Sequence, residues 1–238
     1  MAPLLYTAQC SSTQQEILQF LKDNPTGSLA LFTLDQTGGR GQYGKVWEMP
    51  ANRNIAYTLA IAEKECEIQA DLFNFRTAAL MADFVANLTK QAVEIKWPND
   101  IILNQKKIAG LLTERVTVEG QPYYLIGIGL NVLQREFPGL PKAGSLLSQT
   151  GHSYDPKQVA EDLHAFLTAH ITGNISAPDI IKNINDRLFG KGKVMVFDTK
   201  SGRQNGIIRE MDSNGLLVVD LEREGEQKFR NQEITMLY

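Results

Sequence analysis

Hydrophobic positions change their spacing several times along the chain, and each change marks an element. Ile17, Leu18, Phe20 and Leu21 recur at helical spacing behind Thr13-Gln14-Gln15-Glu16, a fit to a capping box; a short helix ending near Asn24 is predicted. Ser28 to Leu34 and Ile55 to Ala62 are continuous apolar runs of strand length. Between them, Asp35 to Asn54 is a long glycine-rich loop closed by Pro50, Asn52 and Asn54. Leu72, Phe73, Phe75, Ala79, Leu80, Phe84, Val85 and Leu88 then mark the main helix.

Strand-like runs follow at Val93 to Trp97 with Ile101 to Leu103, Ile108 to Val116, and Tyr123 to Val132. Turn residues separate them: Pro98-Asn99, Asn104-Gln105 and Gly120. Beyond a loop with Pro138, Gly139 and Pro141, helices are predicted from about Lys157 to His170 and from about Pro178 to Leu188. From Gly192 the pattern turns to short β runs at Lys193 to Phe197, Gln204 to Met211, Leu216 to Leu221 and Gln227 to Phe229. Ser201-Gly202, Asn214-Gly215 and Glu224-Gly225 punctuate them as turns. This divides the chain at 1–188 and 189–238, the second part a small β-barrel-like domain.

Composition changes this picture little. The 238 residues suffice for one sizeable domain with a small appendage, and 43% hydrophobic with 21% charged residues is ordinary for a soluble globular chain. A net charge of −3 gives no broad attraction to nucleic acid or anionic membrane, so an anionic ligand would need locally placed cations. The start of the chain lacks a basic segment leading into an apolar core, and no run reaches bilayer length, so a cytoplasmic protein is expected. Cys10 and Cys66 have no metal-ligand spacing and read as free thiols. Nor are His152, His164 and His170 spaced for zinc; the last two are expected on one amphipathic helix, at solvated or helix-end positions.

Four segments carry candidate chemistry. In Gln36-Thr37-Gly38-Gly39-Arg40-Gly41-Gln42-Tyr43-Gly44-Lys45-Val46-Trp47, glycines let backbone amides turn toward an anion, and Arg40 and Lys45 add positive charge. Taken alone, the segment reads equally well as a flexible surface loop. Gly39-x-Gly41-x-x-Gly44 also imitates a dinucleotide-binding fingerprint, but that motif needs a helix directly after its glycines, where Pro50 and two asparagines stand. In Lys96-Trp97-Pro98-Asn99-Asp100, a strand-to-strand turn, Asp100 could hold magnesium and Asn99 a base or phosphate; Trp97 reads as core. Lys107-Ile108-Ala109-Gly110 opens a strand with a lysine that either caps a hairpin in solvent or meets negative charge. Gly127-Ile128-Gly129-Leu130-Asn131 places two glycines inside a strand, which suggests a ligand lying over the sheet, with Asn131 able to read a base edge.

Together and in this order these segments resemble the biotin protein ligase family. The resemblance rests on Ser12-Thr13, Gln36…Gly39-Arg40-Gly41…Trp47, Lys96-Trp97-Pro98-Asn99-Asp100, Lys107-x-x-Gly110 and Gly127-x-Gly129-x-Asn131, and spans about residues 10 to 132. It implies an α+β fold: a mixed, mainly antiparallel sheet with helices packed on it, of the class II aminoacyl-tRNA synthetase-like kind, and a C-terminal SH3-like β-barrel. It implies activation of biotin with ATP and Mg2+ to biotinyl-5'-AMP, then transfer to a lysine of a biotin carboxyl carrier protein. Ser12, Thr13, Gln36, Arg40, Gly41, Gln42, Lys107 and Gly110 would line the biotin site. Arg40, Lys45, Trp47, Asn99, Lys107 and Asn131 would hold ATP. Arg40 and Lys107 would be catalytic, and Asp100 would bind the metal.

One position departs from the family: Gln42 stands where many members carry a second arginine. Some members also carry a DNA-binding helix-turn-helix domain. Only about a dozen residues precede the first match here, too few for three helices, so no nucleic-acid partner is expected. The resemblance leaves room for a homodimer. Rival readings are a lipoate or octanoate ligase or transferase on a related fold, a dinucleotide-binding oxidoreductase, and a non-catalytic biotin-binding module.

Overall fold

The structure, a computed structural model, describes residues 2–23, 27–66, 68 and 70–238, without the side chains of 70 and 71. Strands β1 (Leu4–Tyr6), β2 (Leu29–Thr33), β5 (Asn54–Ala62), β6 (Val93–Lys96), β7 (Asp100–Leu103), β8 (Lys106–Val118) and β9 (Gln121–Asn131) form one sheet in the order β1-β2-β5-β9-β8-β7-β6. Only β1 and β2 run parallel; every other neighbouring pair is antiparallel.

Alternation along the strands assigns the two faces of this sheet. Ile55, Tyr57, Leu59 and Ile61 of β5 and Tyr124, Ile126, Ile128 and Leu130 of β9 point into the main core. Helices α2 (Ala70–Thr89) and α4 (Pro156–His170) cover that face, and α5 (Ala177–Asn185) packs on α2. The intervening Ala60, Ala62, Tyr123 and Leu125 meet Ile17 and Leu21 of helix α1 (Thr13–Asp23) in a smaller cluster on the opposite face. Helix α1 is short, so it covers only one end of that face. The remainder carries Ala56, Gly110, Gly127, Gly129 and Asn131 and stays open as the floor of a cleft.

The second sheet is built from β10 (Val194–Thr199), β11 (Gly202–Met211), β12 (Leu217–Leu221), β13 (Gly225–Phe229) and β14 (Ile234–Leu237), all antiparallel, in the order β13-β12-β11-β10-β14. Phe197, Ile208, Met211, Leu217, Val219, Leu221 and Ile234 from it join the main core. The chain is therefore α+β, with a small antiparallel β unit of SH3-like kind after α5. Among the described residues no helix is long and apolar enough to cross a membrane.

Several expectations need correction. The Asp35 to Asn54 segment is not simply a loop: β3 (Gly39–Arg40) pairs with β4 (Val46–Trp47) around a 3-10 turn at Gln42–Gly44. No α-helix follows its glycines, which removes the dinucleotide-binding geometry. Thr13 lies inside α1 rather than capping it, and the predicted end at Asn24 falls outside the described residues. A short helix, α3 (Leu146–Thr150), and β14 were not foreseen. His164 is buried rather than solvated, with Nε2 2.8 Å from the Ala2 carbonyl and Nδ1 2.9 Å from the Tyr57 hydroxyl. Because a carbonyl can only accept, Nε2 carries the proton and Nδ1 accepts from Tyr57. Burial lowers the His164 pKa below its ordinary value. His170 does take a helix-end position, Nδ1 lying 2.7 Å from the Phe166 carbonyl.

Candidate active site

A cavity of about 770 Å3 opens on the uncovered face of the main sheet. It brings together Ser12, Thr13, Gln36, Arg40, Gly41, Gln42, Lys45, Trp47, Asn99, Asp100, Lys107, Gly110 and Asn131, every residue to which the resemblance gave a biotin, ATP or metal role. They come from the start of α1, the glycine hairpin, the turn between β6 and β7, and strands β8 and β9.

At the deep end the polar groups satisfy one another. The Thr13 amide donates to Gln36 Oε1 at 2.8 Å, with the Thr13 hydroxyl 3.3 Å from the same oxygen, and the Thr58 hydroxyl donates to Thr13 Oγ1 at 2.8 Å. Thr58 alternates with Tyr57 and Leu59 and so faces away from the main core; nothing in the linear pattern of β5 marked it as a site neighbour. Ser12, Thr13, Gln36 and Thr58 are all buried. A buried hydroxyl–amide cluster of this kind suits a ligand whose own polar end is compact and hydrogen-bonding.

Further out stands the charge. Lys107 Nζ lies 2.6 Å from Asp100 Oδ1, with side-chain exposures of 33% and 16%. The pairing follows from register, since β7 and β8 set Asp100 opposite Gly110 and a bulge turns Lys107 toward it. Lys107 also lies 5.7 Å from the centroid of the Trp47 ring. Burial holds the Lys96 ammonium below the usual lysine range; Asp100 offsets this, and Lys107 and Lys45 add to it. Arg40 and Lys45 are exposed at the rim.

The glycine hairpin works differently from expectation. The Gly41 amide donates to Lys45 O at 2.7 Å and closes the hairpin, while the Gly38 amide donates to Ser11 O at 2.7 Å and ties its base to the segment before α1, so neither faces an anion. Gly39 is buried, and a Cβ there would run into the Trp47 carbonyl. Tyr43 at the tip has φ +59° and is exposed. Gln42 is tied from across the cleft by Asn231 in the turn between β13 and β14, whose Nδ2 donates to Gln42 Oε1 at 2.9 Å.

The strand glycines are likewise occupied from within. A Cβ on Gly129 would overlap the Trp47 indole, and one on Gly127 would come 2.8 Å from Gln14 Cδ. Trp47 thus lies flush on the sheet, and its indole N–H is buried without a partner among the described residues. Asn99 donates to Leu111 O at 2.6 Å and Asn131 to Gly144 O at 2.9 Å, so each amide nitrogen braces the frame of the cleft. Trp97 is not simply core: its indole N–H reaches Gly215 O at 3.0 Å, joining the β6–β7 turn to the second sheet. Cys10 and Cys66 are free, and burial pushes both thiols up to about 11.

Comparison with known proteins gives this arrangement a context. The sequence profile of the Biotin/lipoate A/B protein ligase family matches residues 6–131. The chain is 29% identical to a biotin–[acetyl-CoA-carboxylase] ligase of Paracoccus denitrificans, across 89% of this chain and 92% of that protein. It is 28% identical to a protein of the same description from Mycobacterium tuberculosis, across 90% and 82%. Among solved structures, the biotin protein ligase of Aquifex aeolicus in complex with biotin and ATP superposes with a TM-score of 0.80. The coverage is 100% of this chain and 99% of that one at 22% identity, so this likeness shows the fold.

Proposed function

The chain belongs to the biotin/lipoate A/B protein ligase family, and on that premise we propose that it is a biotin protein ligase. It activates biotin with ATP to biotinyl-5'-AMP, then passes the biotinyl group to a lysine of a biotin carboxyl carrier protein. The observation that carries this reading is one cleft with a buried hydrogen-bonding floor at Thr13, Gln36 and Thr58 and the Lys107–Asp100 pair above it. A ureido ring offers donors and an acceptor to that floor. A dithiolane offers neither, which favours biotin over lipoate.

In the first step the biotin carboxylate attacks the α-phosphorus of ATP and pyrophosphate departs. Two anions must meet, so the protein's task is positioning and charge neutralisation. Lys107 supplies one cation at the reacting centre, Arg40 brings the second from the rim when the hairpin closes, and Lys45 adds charge at the rim. Ser12, Thr13, Gln36, Gly41, Gln42 and Gly110 shape the biotin end. Trp47, Asn99 and Asn131 bound the adenosine end, where the unpaired indole N–H of Trp47 offers a donor to the nucleotide. In the second step the carrier's lysine amine attacks the acyl carbon, AMP leaves and the amine gives up its proton. Closure of the glycine hairpin over the mixed anhydride would keep water from it.

Magnesium takes one or two carboxylates and completes its shell with phosphate oxygens and water. Asp100, a carboxylate at the cleft with Lys107 as its present partner, fits as that single protein ligand, and the ion would offset phosphate charge. We divide the chain into a catalytic part, 1–188, and a C-terminal barrel, 189–238, and place it in the cytoplasm, where its two free thiols are at home.

The test is ATP–pyrophosphate exchange with biotin, with lipoate and with neither. Exchange should require biotin, and Lys107→Gln should lower it about a hundredfold while the fold is retained. Exchange supported by lipoate alone, or near-normal exchange by the variant, would sink the reading.

A further inference from the structure

Three side chains at the barrel side of the cleft have no part in the scheme above. Lys96 ends β6, Lys142 lies in the loop after β9, and Tyr238 follows β14; all three line the cavity. The Lys96 ammonium stands 5.1 Å and the Lys142 ammonium 5.3 Å from the centroid of the Tyr238 ring. One tyrosine thus gathers two cations from separate segments.

The tyrosine is itself well held. Its ring meets Phe189 edge-on at 4.9 Å, and the Phe189 amide donates to Ile95 O at 2.9 Å, one residue from Lys96. Pairing of β14 with β10 fixes the backbone just before it. Lys142 is anchored by its carbonyl, which accepts from the Lys107 amide at 2.8 Å. Burial pushes the Tyr238 phenol up to about 12, with the charge of nearby Asp100 adding to the effect.

Neither lysine forms an ion pair among the described residues, whereas Lys107 is matched by Asp100 at 2.6 Å. The ring face compensates each ammonium only weakly. Both lysines line the cavity, so an anion held there can meet both charges. ATP brings more negative charge than Arg40 and Lys107 can meet, because those two are committed to the carboxylate and the α-phosphate. The remaining charge sits on the β- and γ-phosphates.

We propose that Lys96 and Lys142 form the subsite for the β- and γ-phosphates, the portion that departs as pyrophosphate, with Tyr238 as the positioning residue that presents them. This rests on the ligase reading and adds a role for the second sheet: it supplies part of the nucleotide site.

Calorimetric titration of the full chain with inorganic pyrophosphate, ATP, AMP and biotin tests the subsite. Lys142→Met and Tyr238→Leu should each weaken pyrophosphate and ATP about tenfold and leave AMP and biotin within about twofold. Tyr238→Phe, which keeps the ring face, should restore wild-type values. Equal losses for AMP and ATP, unchanged pyrophosphate binding, or failure of the phenylalanine to rescue would overturn the proposal. If Tyr238→Leu does not fold, Lys142→Met decides, since Lys142 is exposed. Wild-type chain that binds pyrophosphate but shows no biotin-dependent exchange would overturn the ligase reading and leave the subsite standing.

Discussion

At Gly127 and Gly129 the missing Cβ makes room for the protein's own side chains. The two positions differ in what stands opposite. Gly129 faces the rigid Trp47 indole, whereas Gly127 faces the end of Gln14, a flexible side chain held by one hydrogen bond to Leu112 O at 3.0 Å. Gly129→Ala should therefore lift Trp47 off the sheet and weaken ATP about tenfold or more. Gly127→Ala should cost less than about 1 kcal/mol of stability and leave ATP affinity near normal. Titration of both variants with ATP, alongside thermal melts, checks the contrast; equal effects would mean that Trp47 does not depend on Gly129. The linear pattern showed that something approaches these strands, because glycine in a strand interior is otherwise unfavourable. It did not show what, since the hairpin's crossing over the sheet is a tertiary fact. The buried polar residues Thr58 and His164 were hidden for the same reason: their partners, Thr13 and Ala2, are distant in sequence.

Among elements, the glycine hairpin departs most from its sequence reading. Its two-residue ladder is too short to hold its position alone. Gln42 then takes on a meaning beyond the absent arginine: it is the point where Asn231 grips the hairpin. Asn231→Ala should release that grip, and protease cleavage near Gly41 should become several-fold faster without ligands. Addition of biotin and ATP should slow cleavage in both proteins. Identical ligand-free rates would show that the contact does not restrain the hairpin. The long strands and α2 were legible because their apolar periodicity is sustained, as in the wholly buried β5. Helix α3 and β14, five and four residues long, offer too few positions for any period to stand out.

On the scale of the whole molecule, the two sheets share one hydrophobic core, and polar contacts stitch the boundary. Asn185 both donates to Met211 O and accepts from the Met211 amide, each at 2.8 Å, and Trp97 reaches Gly215. The change of pattern near 189 was visible in the sequence, but this continuity of packing was not, because composition says nothing about what two units bury against each other. Calorimetric unfolding should give a single transition. Asn185→Ala should lower its midpoint by an amount equivalent to about 1–3 kcal/mol without splitting it, because two backbone groups lose their partner. Two resolved transitions in the parent chain would mean that the sheets fold independently.

The sequence holds only two tryptophans, Trp47 and Trp97, and both border the same cavity. One lies on the cleft floor with a free indole N–H; the other is hydrogen-bonded into the seam between the sheets. All indole emission from this molecule therefore originates at the cleft and its seam. Steady-state fluorescence, with no dye attached, should therefore report changes at the hairpin and at the seam between the sheets, and single-tryptophan variants would separate the two signals.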